Sequence, residues 1–412
     1  MAPQRISAGV SLLWRMNRSR RLVAGRERAR RFGKISDRVT GSMGCRAQPC
    51  GQRRILGVAA LVLLAATAAV SGRGQASSSF AASIARLSEP GGYFDTDNLI
   101  SNEKSYLHVV PALREAGFSG GGYLGVGPDQ NFSYIARVRP SIAFIVDVRR
   151  DNLLLHLLFK ALFRLSDTRI AYLSRLFGRP VPGSVDGWRG AGIERLADYI
   201  EGAPSSAQAV AGLRARVDAA IKGFGVPLSA ADFDTIDRYH RRFIAAGLRL
   251  KFETTGRGSR SYYPNYRDLL LETDRQGRRW NFLASEDDYL FIRSLQQRDL
   301  IIPVVGDLSG PSALVEVGRM MTERGDRLSA FYASNVEFYL FRAGTFAKFI
   351  DNLSRLPHTS KSLIIRSVFV GGPLPQWMPG YASASLVQPV DELLQGYSKG
   401  KFRTYRELTE GR

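Results

Sequence analysis

The residues of this chain that could hold a ligand recur at one kind of position, the end of an apolar run. Gly125-Val126-Gly127 follows a short run that begins at Tyr123, and Asp147 ends a second, Ile142 to Val146. Gly306-Asp307 ends a third, Leu300 to Val305, and Ser334-Asn335 ends a fourth, Leu328 to Ala333, which contains Tyr332. Glycines let the backbone turn sharply and leave N–H groups free at a helix start, where an anionic or polar ligand can sit. An acid about twenty residues on, at the end of the next strand, is placed to accept two ribose hydroxyls. Asp129 and Asn131 either contact such a ligand or cap the helix that follows the glycines. The Asn335 amide can orient an amine or carboxylate, while Glu337 is either a base or the start of the next helix. Arg149 and Arg150 are either contacts at the site mouth or a solvated charge pair.

The elements that must position these residues alternate. Helix-compatible segments separate the apolar runs, and Ser362 to Phe369 reads as a fifth strand. Strands alternating with helices imply a parallel sheet with right-handed crossovers, whose ligands lie beyond the carboxyl ends of the strands. The expected fold is therefore α/β, a doubly wound, mostly parallel Rossmann-like sheet. Leu153 to Leu165 is apolar except for His156, Lys160 and Arg164, a narrow polar stripe that makes His156 a half-buried stripe residue. Residues 166–298 interrupt the alternation and read as a mostly helical insertion. Within it Ser229 with Asp232 resembles a capping box, and Leu248 to Glu253 alternates like a strand. The polar stretch FDTDNLISNE, Phe94 to Glu103, reads either as a flap over the site or as a plain capped turn.

Charge and the N-terminus bound the function. The net charge of +21 is concentrated in the first fifty-odd residues, as in Arg26 to Arg31, and reads as a basic tail or a start codon displaced from Met43, with no specific nucleic-acid partner. Ile55 to Val70 is an unbroken run of apolar and small residues behind Arg53-Arg54, the pattern of a signal peptide's apolar core. The expectation is export, to the periplasm or outside the cell, with residues 55–76 as signal peptide. If uncleaved, residues 55–70 are an inner-membrane anchor and the chain's membrane contact. On this reading residues 1–54 are a basic extension and 77–412 the Rossmann-like domain. Both cysteines, Cys45 and Cys50, precede that segment, so the body has no disulfide or thiolate metal site. The four histidines lack metal-ligand spacing. Gly117-Phe118-Ser119-Gly120-Gly121 matches the serine-hydrolase GxSxG, but that motif needs a strand before it and a helix after, the reverse of the expected order.

The segments GVGPDQNF, Asp147, Gly306-Asp307-Leu308 and Ser334-Asn335-Val336-Glu337 resemble the class I S-adenosylmethionine-dependent methyltransferases. That resemblance implies S-adenosylmethionine as cofactor, held by Gly125, Gly127, Asp129, Asn131, Asp147, Asp307 and Ser334. Asn335, Tyr332 and Glu337 would position an acceptor. The combination FDTDNLISNE, GVGPDQNFSYIA, DVRRDNLL, IPVVGDLSGP and FYASNVEFYL is also similar to a bacterial family of uncharacterised proteins with this core. Tyr123 stands where the methyltransferases carry an acid, and Asp129 where they carry a third glycine. These departures favour a second function, an exported non-enzymatic Rossmann-like protein binding a small polar ligand. A nicotinamide-dependent oxidoreductase is a third, weakened by the missing last glycine of GxGxxG.

Overall fold

The computed structural model describes residues 80–96, 98–118, 120–254, 259–369 and 377–410. The basic extension, the apolar run 55–70 and Ser119 lie outside the described residues. Six strands form one sheet: β1 (Gly122–Gly125), β2 (Ile142–Asp147), β3 (Ile301–Val305), β4 (Leu328–Ser334), β5 (His358–Phe369) and β6 (Ser383–Pro389). Their order is β3-β2-β1-β4-β5-β6, parallel from β3 to β5, with β6 antiparallel at the edge. This is a doubly wound, mostly parallel, Rossmann-like α/β domain.

Burial on both faces explains why β2 and β3 read as continuous apolar runs. Pro303, which donates no ladder hydrogen bond, fits because β3 is an edge strand. From β1 the chain moves outward to β2 and β3, then returns to β4 and continues the other way. Right-handed crossovers of opposite direction place their helices on opposite faces. The helices Gln130–Val138 and Arg150–Leu165 belong to one direction, Phe346–Ser354 to the other.

The insertion between Leu165 and β3 is helical, as expected, with helices at Arg169–Leu176, Ile193–Gly202, Ala207–Lys222, Ala230–Ala246 and Glu286–Gln297 among others. The Ser229–Asp232 capping box is formed. Insertion helices pack against Arg150–Leu165, so its polar stripe is not solvent-facing. His156 and Lys160 are buried, and only Arg164 is exposed. Arg169, itself buried, ties distant segments of the insertion together by donating to the carbonyls of Leu283 (2.8 Å), Ala284 (3.0 Å) and Arg189 (3.0 Å).

Two expectations differ from the structure. Leu248 to Glu253 is no ladder strand: Gly247, at φ +56°, opens a short 3-10 turn, Gly247–Arg249. Lys251 and Thr254 then make single bridges to Asn265 and Thr96. Ser309, a hydroxyl residue that the sequence suggests as cap of the helix after β3, does not cap it, since that helix begins at Ala313. It donates instead to Asp307 in a local turn. Around Gly117–Gly121 the helix Val110–Glu115 precedes and β1 follows.

Candidate functional site

In an open parallel sheet the ligand crevice lies where strand order reverses, beyond the carboxyl ends of the two strands that diverge. Here those strands are β1 and β4. Gly125 pairs in register with Ile145 of β2 and with Tyr332 of β4, and the Val126 N–H donates to the Tyr332 carbonyl (3.1 Å). Gly127, at φ +81°, makes the turn into the helix Gln130–Val138. A Cβ on Gly125 would lie 1.9 Å from Asn131 Oδ1, so the glycine is required by its neighbour. Asn131 is fully buried and donates to the carbonyls of Val126 (2.9 Å) and Pro128 (2.7 Å), while its Oδ1 accepts from the Tyr123 hydroxyl (2.8 Å). Asn131 thus builds the turn.

Two further side chains lock that turn. His156 Nε2 lies 2.9 Å from the Gly127 carbonyl, which can only accept, so Nε2 carries the proton. Burial lowers this histidine's pKa to about 4 and keeps the ring neutral. Asp129 accepts from the Tyr266 hydroxyl of the insertion (2.7 Å), and burial raises its pKa to about 6.

Across the crevice, the ends of β4 and β5 converge on Glu103. Its carboxylate is 1% exposed and accepts from the hydroxyls of Tyr332, Ser334 and Ser367, the last at 2.6 Å. Burial pushes this carboxyl above its usual range, against the three hydroxyl hydrogen bonds. Gln130, the first residue of the helix after the glycines, donates through Nε2 to the Tyr332 hydroxyl (2.8 Å), and its Oε1 has no partner among the described residues. Ser334 holds φ +53°, and Asn98, whose amide faces Gly127, holds φ +48°. Left-handed backbone is costly in residues other than glycine and persists where its surroundings enforce it. Asn335, half-buried, follows Ser334 at the head of the helix Val336–Ala343.

The ends of β2 and β3 are crossed by the chain's own residues 88–96. Glu89 donates its N–H to the Val305 carbonyl (2.9 Å), and Gly92 donates to that of Val148 (2.7 Å). The Glu89 carboxylate accepts from the backbone N–H groups of Asp307 (2.9 Å), Ser312 (2.9 Å) and Ala313 (3.0 Å), the position of an anion at a helix N-terminus. Burial works against its ionisation, but these hydrogen bonds hold its pKa below the ordinary value. Asp147 is held by Arg149 through both oxygens (3.1 and 3.0 Å), and Arg149 donates onward to the Thr96 carbonyl (2.7 Å). Arg149 is therefore a buried partner of Asp147 rather than half of a solvated pair. Arg150 pairs with Asp232.

The structure thus brings together Gly125, Gly127, Asp129, Asn131, Tyr332 and Ser334 around the crevice, with Asp147 and Asp307 at the adjacent strand ends. It does not leave Glu337 as a free base. Glu337 faces Arg366 of β5 in a bidentate ion pair (2.6 and 3.0 Å), and both side chains are fully buried. Sequence reasoning missed Glu103, Gln130, Glu89 and Arg366. Arg366 had a signal, a single charge inside the apolar strand IIRSVF. The others depend on contacts remote in sequence. Among the described residues, no group of three His, Cys, Asp or Glu side chains could hold a metal ion.

Residues 98–179 and 239–395, more than half of the chain, match a family described as a domain of unknown function (DUF7790). The chain belongs to that family. The matched residues include Asn98, Glu103, the glycine turn, Asp147, Ser334, Glu337 and Arg366, and they skip the outer insertion, residues 180–238. A search of the curated proteins finds no match.

Proposed function

We propose that the domain is a binding module that takes a small polar ligand in the crevice between β1 and β4, with S-adenosylmethionine the first ligand to test. One observation carries this reading. The switch point falls between Gly125 and Tyr332, and polar groups from the helix after β1, from β4 and from β5 meet there around Glu103. The glycine turn on β1 beside Asp147 on the neighbouring β2 supports a nucleoside-bearing ligand. A nucleoside over β2 and β3 would have to displace residues 88–96, which cross those strand ends. A ligand confined to β1 and β4 would not.

Binding without chemistry is favoured by the state of two candidate catalytic residues. Glu337 has both oxygens on Arg366, and the Tyr332 hydroxyl is shared between Glu103 and Gln130. Methyl transfer is the second reading, and half-buried Asn335 at the end of β4 favours it. Transfer from a sulfonium depends on positioning more than on a base.

Calorimetric titration of S-adenosylmethionine into the full chain tests the ligand. Micromolar, one-to-one binding is expected. No heat from a protein that melts cooperatively would remove the S-adenosylmethionine assignment.

A further inference from the structure

We infer that the crevice ligand presents a cationic group, an ammonium or sulfonium, to Glu103 and Gln130. The inference rests on the binding reading above and adds the charge of the group bound. A carboxylate taken out of water is costly unless a cation is paired with it. Glu103 receives three hydroxyl hydrogen bonds but, among the described residues, no Lys, Arg or His side chain pairs with it. Arg366, next to Ser367 in β5, donates to Glu337 and Gln388 instead. The cluster therefore holds a buried acid without a counter-charge.

The second observation is independent of that acid. Gln130 is 7% exposed, and its Oε1 accepts from no described residue, although buried carbonyl oxygens are nearly always satisfied. The amide is anchored in the cluster because its Nε2 donates to the same Tyr332 hydroxyl that donates to Glu103. An unsatisfied acceptor beside a buried acid without a counter-charge matches a donor that carries positive charge, which would also hold that acid ionised. A phosphate or carboxylate of the ligand would meet repulsion at this point and belongs elsewhere in the crevice.

The test compares cationic and uncharged probes on the full chain. S-adenosylmethionine, adenosine, 1,4-diaminobutane and 1,4-butanediol are titrated into wild type, Glu103→Gln and Gln130→Leu. Glu103→Gln keeps the shape and removes the charge, turning one acceptor oxygen into an NH2 that can donate to a serine hydroxyl. The expected result is that S-adenosylmethionine binds roughly tenfold or more tightly than adenosine, and that Glu103→Gln erases the difference by weakening S-adenosylmethionine more than adenosine. Gln130→Leu weakens the cationic probe in the same direction and serves if Glu103→Gln does not fold. Equal affinities for charged and uncharged probes, unmoved by Glu103→Gln, would overturn the inference and leave the binding reading standing, with Glu103 a buried neutral acid. Glu103-dependent binding of the diamine without nucleoside binding would support the cation subsite and remove the nucleoside. If none of the probes binds, both fall.

Discussion

The Arg366–Glu337 pair offers a sharp test of whether Glu337 is structural. Both side chains are fully buried, joined by hydrogen bonds of 2.6 and 3.0 Å, and Arg366 makes a further one to Gln388 Oε1 (2.7 Å). Arg366→Met leaves the Glu337 carboxylate buried with its partner gone. Breaking a buried pair from one side costs about 3–5 kcal/mol, because an uncompensated charge stays behind. Replacing both partners removes that charge, and apolar substitutes of similar volume are often neutral. Arg366→Met and Glu337→Leu should therefore each cost about 3–5 kcal/mol, while the double variant recovers most of that, keeping a loss of about 1–3 kcal/mol for the buried Gln388 amide left without its donor. Urea unfolding followed by circular dichroism measures all four corners of the cycle. Single variants that each lose less than about 1 kcal/mol, or whose losses simply add, would refute the reasoning. Loss of ligand binding in Glu337→Gln at unchanged stability would return Glu337 to the site.

Three further outcomes follow from the site. Gly125→Ala should destabilise by about 2–4 kcal/mol, since the new Cβ at 1.9 Å displaces the Asn131 amide and its hydrogen bonds. Asn131→Ala should cost a similar amount in urea unfolding, and the double variant little more, because both break one network. Asp129, raised to about 6 from an unfolded value near 3.8, binds its proton more tightly in the folded state. Stability relative to Asp129→Asn should therefore fall by about 3 kcal/mol as pH rises from 4 to 7 and stay level above that; parallel melting curves across this range would contradict it. Glu89→Ala removes the acceptor for the N–H groups of Asp307, Ser312 and Ala313. It should cost about 1–2 kcal/mol and speed proteolysis within residues 88–96, and an unchanged cleavage rate would show that Glu89 does not hold this segment.

How much of this was legible in the sequence depends on where each partner lies. The parallel strands could be read because burial on both faces leaves continuous apolar runs such as IAFIVD, and their ends named the crevice. β6, SASLVQP, escaped because small and polar residues alternate through it as an antiparallel edge strand. Gly125 and Asn131 could be read as a turn and a cap, being local to each other. Glu103 could not be assigned, because its Ser367 partner is 264 positions away, and neither could Glu89, which is 218 positions from Asp307. The same residue types at strand ends can satisfy one another or await a ligand, and sequence does not separate the two cases. At Asp147, Asp307 and Glu337 the chain supplies its own partners. At Glu103 and Gln130, among the described residues, a buried acid has no counter-charge and a carbonyl oxygen has no donor, and the proposed cation subsite rests on that imbalance.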